Sequence, residues 1–442
     1  MKKLSFITLV TSRGLTGSVS AAPPARPAAD TARPLGQFAI LVMVLLPFAL
    51  AHGLSNLFRT VNAVVYTDLA ADLTLAGSSL GLLTGSYFLS FALAQLPVGV
   101  ALDRFGPRKV QGPLLLLAAV GAVLFAQAHT LTELVLARGL IGLGVAGSMM
   151  AALKAGSQWL PADRLPTLTS GLLVVGGMGS MLSTAPVQAA LGHTDWRGLF
   201  IALGFVTVGV AALIYLTVPE LARKPQTTRL TDMVKAVGQL YRAPSFWRVA
   251  LYSLVAHASC IAIQGLWLGP WLRDVGHMSR AEVANGLFLV TAAMMAGSVF
   301  FGWLTTWLRR RGHGPMLACG LGLCLFAVCQ VLMVAGVPVP PLALAMGFSF
   351  FGIAASMNFA IVAQSVPSHL TGRASTAFNL LVCLLAFLLQ WGLGALLGLW
   401  PTEDGHYAAS AYRVALGLCL ALQAPGLLLW FSFKPWRRSA AA

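Results

Sequence analysis

Charge is scarce in this sequence, and negative charge is scarcest. Charged residues make up 10% of the 442 positions, with 13 Asp and Glu against 29 Lys and Arg. Since 57% of the chain is apolar and the mean hydropathy is +0.80, a water-soluble globule would lack polar surface to cover itself. The chain belongs in a bilayer. The few acids avoid the middle of every long apolar run: Asp68, Asp72, Glu133, Asp195, Asp274, Glu282, Glu403 and Asp404 fall towards one face of the membrane, and Asp30, Asp103, Asp163, Glu220 and Asp232 towards the other. That pattern disfavours a mid-membrane carboxylate acting as a cation or proton site, and a sodium site built on hard oxygen anions.

Other absences narrow the reading further. The six cysteines (Cys260, Cys319, Cys324, Cys329, Cys383, Cys419) all lie in apolar runs and form no C-x-x-C pair. Steps of five, as from Cys319 to Cys324 to Cys329, turn about 140° on a helix and scatter the thiols around it. Neither a disulfide framework nor a metal site is implied. No phosphate-cradling loop, nucleophile elbow or zinc pattern occurs, so no enzyme and no cofactor are expected.

What remains is twelve apolar segments of roughly the 20 residues a spanning helix requires: 38–66, 77–100, 113–129, 133–158, 168–191, 198–218, 249–271, 283–305, 315–336, 342–363, 375–399 and 411–433. The runs are unbroken, unlike the alternating strands of a membrane barrel. With both termini inside, 22 Lys and Arg fall in inner loops and tails, and only Arg197, Arg273 and Arg280 fall outside; short cytoplasmic loops carry that excess. The expected address is a bacterial-type inner membrane with both termini cytoplasmic. Because the positive charge is spread over every inner loop, it reads as complementarity to anionic lipid rather than nucleic acid. A monomer is expected. Residues 1–37 read as a disordered cytoplasmic tail; "MKKLSFITLVTSRGLTGSVSAA" has signal-like features, but its apolar core from Leu4 to Val10 is short and Arg13 follows it. Residues 434–442 form a second tail.

The longest internal polar stretch, 219–248, separates six segments (38–218) from six more (249–433), which suggests two six-helix bundles. "RGLIGLGVAGSMMAALKAGS" from Arg138 aligns without gaps on "MGFSFFGIAASMNFAIVAQS" from Met346, retaining mostly small residues, as close helix contact in lipid requires. A charged knot, "GVALDRFGPRKV" from Gly99 to Val110, recurs as "GWLTTWLRRRGHG" from Gly302, with Thr306 where Asp103 stands.

The knot resembles the signature between the second and third helices of the major facilitator superfamily. "RGLIGLG" resembles that superfamily's fourth-helix motif, and "GGMGSMLSTAP" at Gly176–Pro186 its fifth. The resemblance implies an all-α fold, two six-helix bundles in pseudo-twofold arrangement around a central cavity, opening alternately to either side. It also implies that Gly99, Asp103, Arg104, Gly106, Arg108 and Lys109 form a conformational latch, with Asp103 facing the partly positive start of the eleventh segment near Gly372. The alternative is a solvated turn that merely obeys the charge rule.

Ionisable groups inside a membrane default to function. The bases there are Arg59, Arg138, Lys154 and His257, with Arg413 near the end of the last segment. Cations without acids suit an anionic ligand. Arg59, in "LSNLFRTVNAVVY", is the principal candidate: the stretch resembles the first helix of organophosphate:phosphate antiporters and anion:cation symporters, where an arginine contacts the substrate anion. The phosphate-ester antiporters carry a second arginine in the seventh helix, where this chain has His257 and Gln264. A monocarboxylate or small inorganic anion therefore fits better than a doubly charged phosphate ester. The expected substrate set is Arg59, Asn62, Lys154, His257, Gln264 and Asn379, with Arg138 coupling helices. Lys154, about 30 Å along its helix from Glu133, has snorkelling to the inner surface as its alternative. His257 has hydrogen-bonded packing as its own. The function expected is secondary transport of a small anion; a multidrug exporter and a non-transporting sensor are the alternatives.

Overall fold

The computed structural model describes residues 36–433 except 74, 76, 221–229, 367–370 and 404–405. Residues 1–35 and the tail at 434–442 lie outside the described residues. Backbone polar groups have no water to bond in hydrocarbon, so apolar runs of this length close their hydrogen bonds internally as helices. Twelve helices are long and apolar enough to cross a membrane among the described residues. In the first six, α1 is Gln37–Thr60, α3 is Gly77–Phe105, α4 is Pro107–Gln127, α5 is Leu131–Trp159, α6 is Thr167–Ala190 and α7 is Trp196–Thr217. In the second six, α9 is Pro244–Asp274, α10 is Arg280–Arg310, α11 is Pro315–Ala335, α12 is Pro341–Gln364, α13 is Gly372–Leu397 and α14 is Ala409–Ser432. Twelve crossings put both ends of the described chain on one side, here the terminal side; the opposite side is the distal side.

Two further helices were not expected. After a turn at Val61, Asn62–Leu73 continues the first span distally as α2. The polar stretch 219–248, read as a loop, contains α8, Leu230–Arg242, and its last residues already belong to α9. In α8, Met233, Val237, Leu240 and Tyr241 share one face at helical spacing, with Ala236, Val237 and Leu240 buried. Its Met233 methyl lies over Gly99 of α3, and the Tyr241 hydroxyl donates to Ala377 O of α13 at 2.9 Å. A short hairpin, β1 (Thr402–Glu403) and β2 (His406–Tyr407), joins α13 to α14.

Helices of each six pack mainly among themselves: α4 against α5 and α7, α3 against α5, and α1 against α6; then α10 against α12, and α14 against α9 and α11. Small residues permit this. A Cβ on Gly142 would lie 2.5 Å from Tyr87 O, and one on Gly144 would lie 2.5 Å from Ala118 N. The internal repeat also persists in irregularities. α5 loses its helical pattern at Ala146–Gly147, and α12 tightens at Ile353–Met357, the matching positions when Arg138 is set on Met346. In that register Gln111, which donates to Ser148 Oγ at 3.0 Å, corresponds to Cys319, which donates to Ala354 O at 3.2 Å.

The two sixes meet along α3 and α13, and α6 against α10. On the distal half the α3–α13 seam is backbone against backbone: a Cβ on Gly81 would lie 2.5 Å from Gln390 O, and one on Gly394 would lie 2.3 Å from Gly77 O. Beside it, Arg280 of α10 pairs with Asp68 of α2 through both guanidinium nitrogens, one at 2.8 Å, and donates to Gln188 of α6 at 3.0 Å. Asp274, read from sequence as an acid at a helix end, is the last residue of α9 and is wholly buried, with 0% of its side chain exposed. It accepts from Arg273 at 2.6 Å, His406 at 2.8 Å, Tyr407 N at 3.1 Å and Tyr412 at 2.8 Å. Arg273 in turn sits over Tyr66 of α2, 5.3 Å from its ring centre. Glycine contacts and ion pairs together close this side.

Candidate functional site

His52, Asn56 and Arg59 follow one another at i, i+4 and i+7, so α1 presents them on one face. Asn56 Nδ2 donates to His52 O at 2.9 Å and lies 3.3 Å from His52 Nε2, while the Thr60 hydroxyl bonds Asn56 O at 2.9 Å and Ser183 Oγ at 2.7 Å. These neighbours are therefore occupied with one another. Arg59 is half-buried and has no hydrogen bond or ion pair among the described residues. Its guanidinium lies within electrostatic range of Tyr87 of α3, His257 and Cys260 of α9 and Cys383 of α13. One guanidinium thus stands where helices of both sixes converge, with no carboxylate against it.

The turn that carries Arg59 is held from outside. Arg138, fully buried in α5, donates through Nη2 to the carbonyl of Phe58 at 2.6 Å and lies over the Tyr87 ring at 5.1 Å. Its Nε and Nη1 have no partner among the described residues. Tyr87 donates to Ser55 O at 2.9 Å. Two backbone carbonyls of the last turns of α1 are therefore bonded by neighbouring helices, which holds the backbone that carries Arg59. A buried cation with one carbonyl bond and an aromatic face is costly to desolvate, so Arg138 holds α5 and α1 together through a contact that a neutral side chain would not reproduce.

A family model described as Major Facilitator Superfamily matches residues 48–390, from α1 through most of α13. The chain belongs to the Major Facilitator Superfamily. Among members with assigned names, it is 23% identical over 415 residues to a probable L-galactonate transporter of Escherichia coli (strain K12), covering 88% of this chain and 87% of that protein. It is also 23% identical over 357 residues to the niacin transporter NiaP of Acinetobacter baylyi, covering 77% and 76%. A crystal structure of a bacterial homologue of the human lysosomal transporter Spinster, in an inward-facing and occupied conformation, superposes with a TM-score of 0.72 at 18% identity. That match covers 92% of this chain and all of the other, so this superfamily member shares its fold.

Within this superfamily fold, the remaining expected site residues divide. Asn62 is buried and donates to Thr84 at 3.3 Å. His257 is buried with its Nδ1 unpartnered and its ring edge-on to Phe359, so the expected hydrogen bond at that nitrogen is absent among the described residues. Gln264 is half-buried inside a π-helical turn of α9, Ile263–Trp267; Asn379 is half-buried one turn before Cys383. No hydrogen bond joins Asn62, Gln264 or Asn379 to Arg59 among the described residues.

Lys154 is the clear departure. It belongs to the knot on the terminal side, where its Nζ lies 2.5 Å from Asp103 Oδ1, both side chains being 28% exposed. The expected partner of Asp103 was the start of α13; the structure pairs it inside its own six. The reason is length: α5 runs on to Trp159, which carries Lys154 past the hydrophobic centre to the one carboxylate at the end of α3. The rest of the knot is ordered too. Gly106 has a φ of 87°, a conformation glycine adopts without strain, and lets α3 end and α4 begin at once. Arg108 donates to Tyr215 O at 2.7 Å over that ring, Arg104 lies over Phe105, and Lys109 pairs with Glu220.

The sequence reading missed two side chains around the site. His52 had a signal, a histidine four residues before Asn56 and seven before Arg59. Tyr87 had none beyond residue type, since the carbonyl it bonds, Ser55 O, is 32 positions away.

Proposed function

We propose that the protein is a secondary transporter for a small organic anion bearing one carboxylate, and that Arg59 is the group that binds it. The observation that carries this reading is the unpaired Arg59 guanidinium at the convergence of both sixes. A planar fork of donors with no internal acceptor is suited to a carboxylate from outside. The related proteins named for L-galactonate and niacin, both carboxylic acids, support the same substrate class. His257, Gln264, Asn62 and Asn379 are proposed to line the path and select among anions. Lys154 leaves that set, because Asp103 already neutralises it. Transport proceeds by alternating access: the closed distal seam alternates with closure on the terminal side, which the 22-to-3 distribution of Lys and Arg assigns to the cytoplasm. The unit is a monomer.

In this scheme Asp103 exchanges between Lys154 and the start of α13 as the terminal side opens and closes, and Arg138 transmits movement of α5 to the Arg59 turn. Asp103→Asn should leave insertion intact and slow uptake about tenfold, since the Lys154 ammonium loses its carboxylate partner; uptake at the normal rate would refute the latch. The substrate class is tested by melting-temperature shifts of purified protein against small anions, because a ligand that binds only the native state stabilises it in proportion to the logarithm of its saturation. Monocarboxylates should raise the melting temperature, and amines and neutral sugars should not. Stabilisation by cations alone overturns the proposal.

A further inference from the structure

We infer that the cavity on the terminal side at the α3–α4 turn is a binding site for the phosphate of an acidic phospholipid headgroup. The cavity, of about 340 Å³, lies between that turn and the terminal-side ends of α5 and α7. It has room for about ten waters at their liquid volume. Arg104, Arg108 and Lys109 line it against a single acid, Glu220. Lys109 and Glu220 pair with each other, which leaves two guanidinium groups in excess. Neither has a carboxylate partner among the described residues. Arg108 is held in place by its bond to Tyr215 O and by that ring, 4.9 Å away, and its other donors have no partner among the described residues.

A separate observation points to an occupant. Gln158 lines the same cavity, and its Nε2 is buried with no acceptor among the described residues. A buried amide donor left unpaired costs free energy, and a phosphate oxygen in the cavity would satisfy it. The start of α4 at Pro107 opens onto the same space, and the first turn of a 21-residue helix favours negative charge.

The surroundings favour a lipid over a soluble phosphate. Phe105 lines the cavity and is exposed, the exposed ring of Tyr215 lies against Arg108, and Trp159 lines the cavity; aromatic side chains collect at the level of lipid headgroups. Acyl chains would lie along these rings while the phosphate engages the arginines bidentately. A zwitterionic headgroup would bring a second cation into a cationic site, so the preference is for net negative charge.

The test uses the full-length protein purified in detergent, with its melting temperature followed during titration with water-soluble dioctanoyl-phosphatidylglycerol, dioctanoyl-phosphatidylcholine or inorganic phosphate. Phosphatidylglycerol should stabilise saturably and phosphatidylcholine should not. The Arg104→Gln/Arg108→Gln double variant should lose tenfold or more in apparent affinity, and Gln158→Leu several-fold. Should the double variant fail to purify, Gln158→Leu and Arg104→Gln alone give the same reading, as does the count of lipids retained in native mass spectrometry. Inorganic phosphate stabilising as strongly as phosphatidylglycerol, and losing its effect in the same variants, would keep the phosphate site and overturn its assignment to lipid. Equal stabilisation by both lipids, or undiminished affinity in the variants, overturns the site.

Discussion

Arg59→Ala should abolish saturable uptake, and Arg59→Lys should weaken apparent substrate affinity about ten- to a hundredfold while both proteins still reach the membrane. A charge-assisted hydrogen bond contributes about 1.5–3 kcal/mol, and each 1.4 kcal/mol is tenfold in affinity. Lysine keeps the charge but loses the planar fork, so the Lys variant isolates geometry from charge. A purely structural role makes the opposite forecast. If Arg59 only bridged helices, Arg59→Lys would bind normally and Arg59→Ala would melt lower without ligand. Because Arg59 has no hydrogen bond to lose among the described residues, the ligand-free melting temperature of Arg59→Ala should not fall. Affinity and ligand-free melting temperature, measured for both variants, separate the two, and unchanged affinity in Arg59→Lys refutes the anion site.

Gly81→Leu should reduce turnover by tenfold or more. The added Cβ would stand 2.5 Å from Gln390 O, a backbone atom, so no rotamer change relieves it and α3 must move away from α13. Overpacking of this kind costs about 1–3 kcal/mol. It falls on the distal-closed arrangement, where the seam is formed, and shifts the population towards distal-open forms. Uptake in reconstituted vesicles gives the rate. Labelling of a cysteine introduced at Ser78, with the six native cysteines replaced, gives the distal exposure, which should rise. A variant with normal turnover and unchanged labelling would show that this seam does not limit the cycle.

The fold was largely legible because its causes are local. Unbroken apolar runs can only be helices in lipid, and the repeated "RGLIGLG" and "MGFSFFG" segments announced the two sixes. The missed elements have weaker local causes: α8 is amphipathic rather than apolar, and α2 carries Asp68 and Asp72, so neither registers as a span. The site was legible where one residue suffices. An arginine after an apolar run stands out without knowledge of its neighbours. Lys154 was placed in the substrate set because sequence gives its position along one helix but not the Asp103 carboxylate 51 residues away. For the same reason the three partners that bury Asp274 from β2 and α14 could not be read.

The two attachments of α8 differ in kind. At its Tyr241 end a hydrogen bond fixes it to α13, while at its Met233 end a flexible thioether touches a residue without a side chain. A thioether makes adaptable contacts and loses little when displaced. When the terminal side opens, the weaker joint should part first, so α8 travels with the second six and its free end sweeps across Gly99. It then acts as a sliding gasket, keeping the gap between α3 and α13 covered through part of the stroke, and a bulkier residue at position 99 would shorten that stroke without touching the anion site.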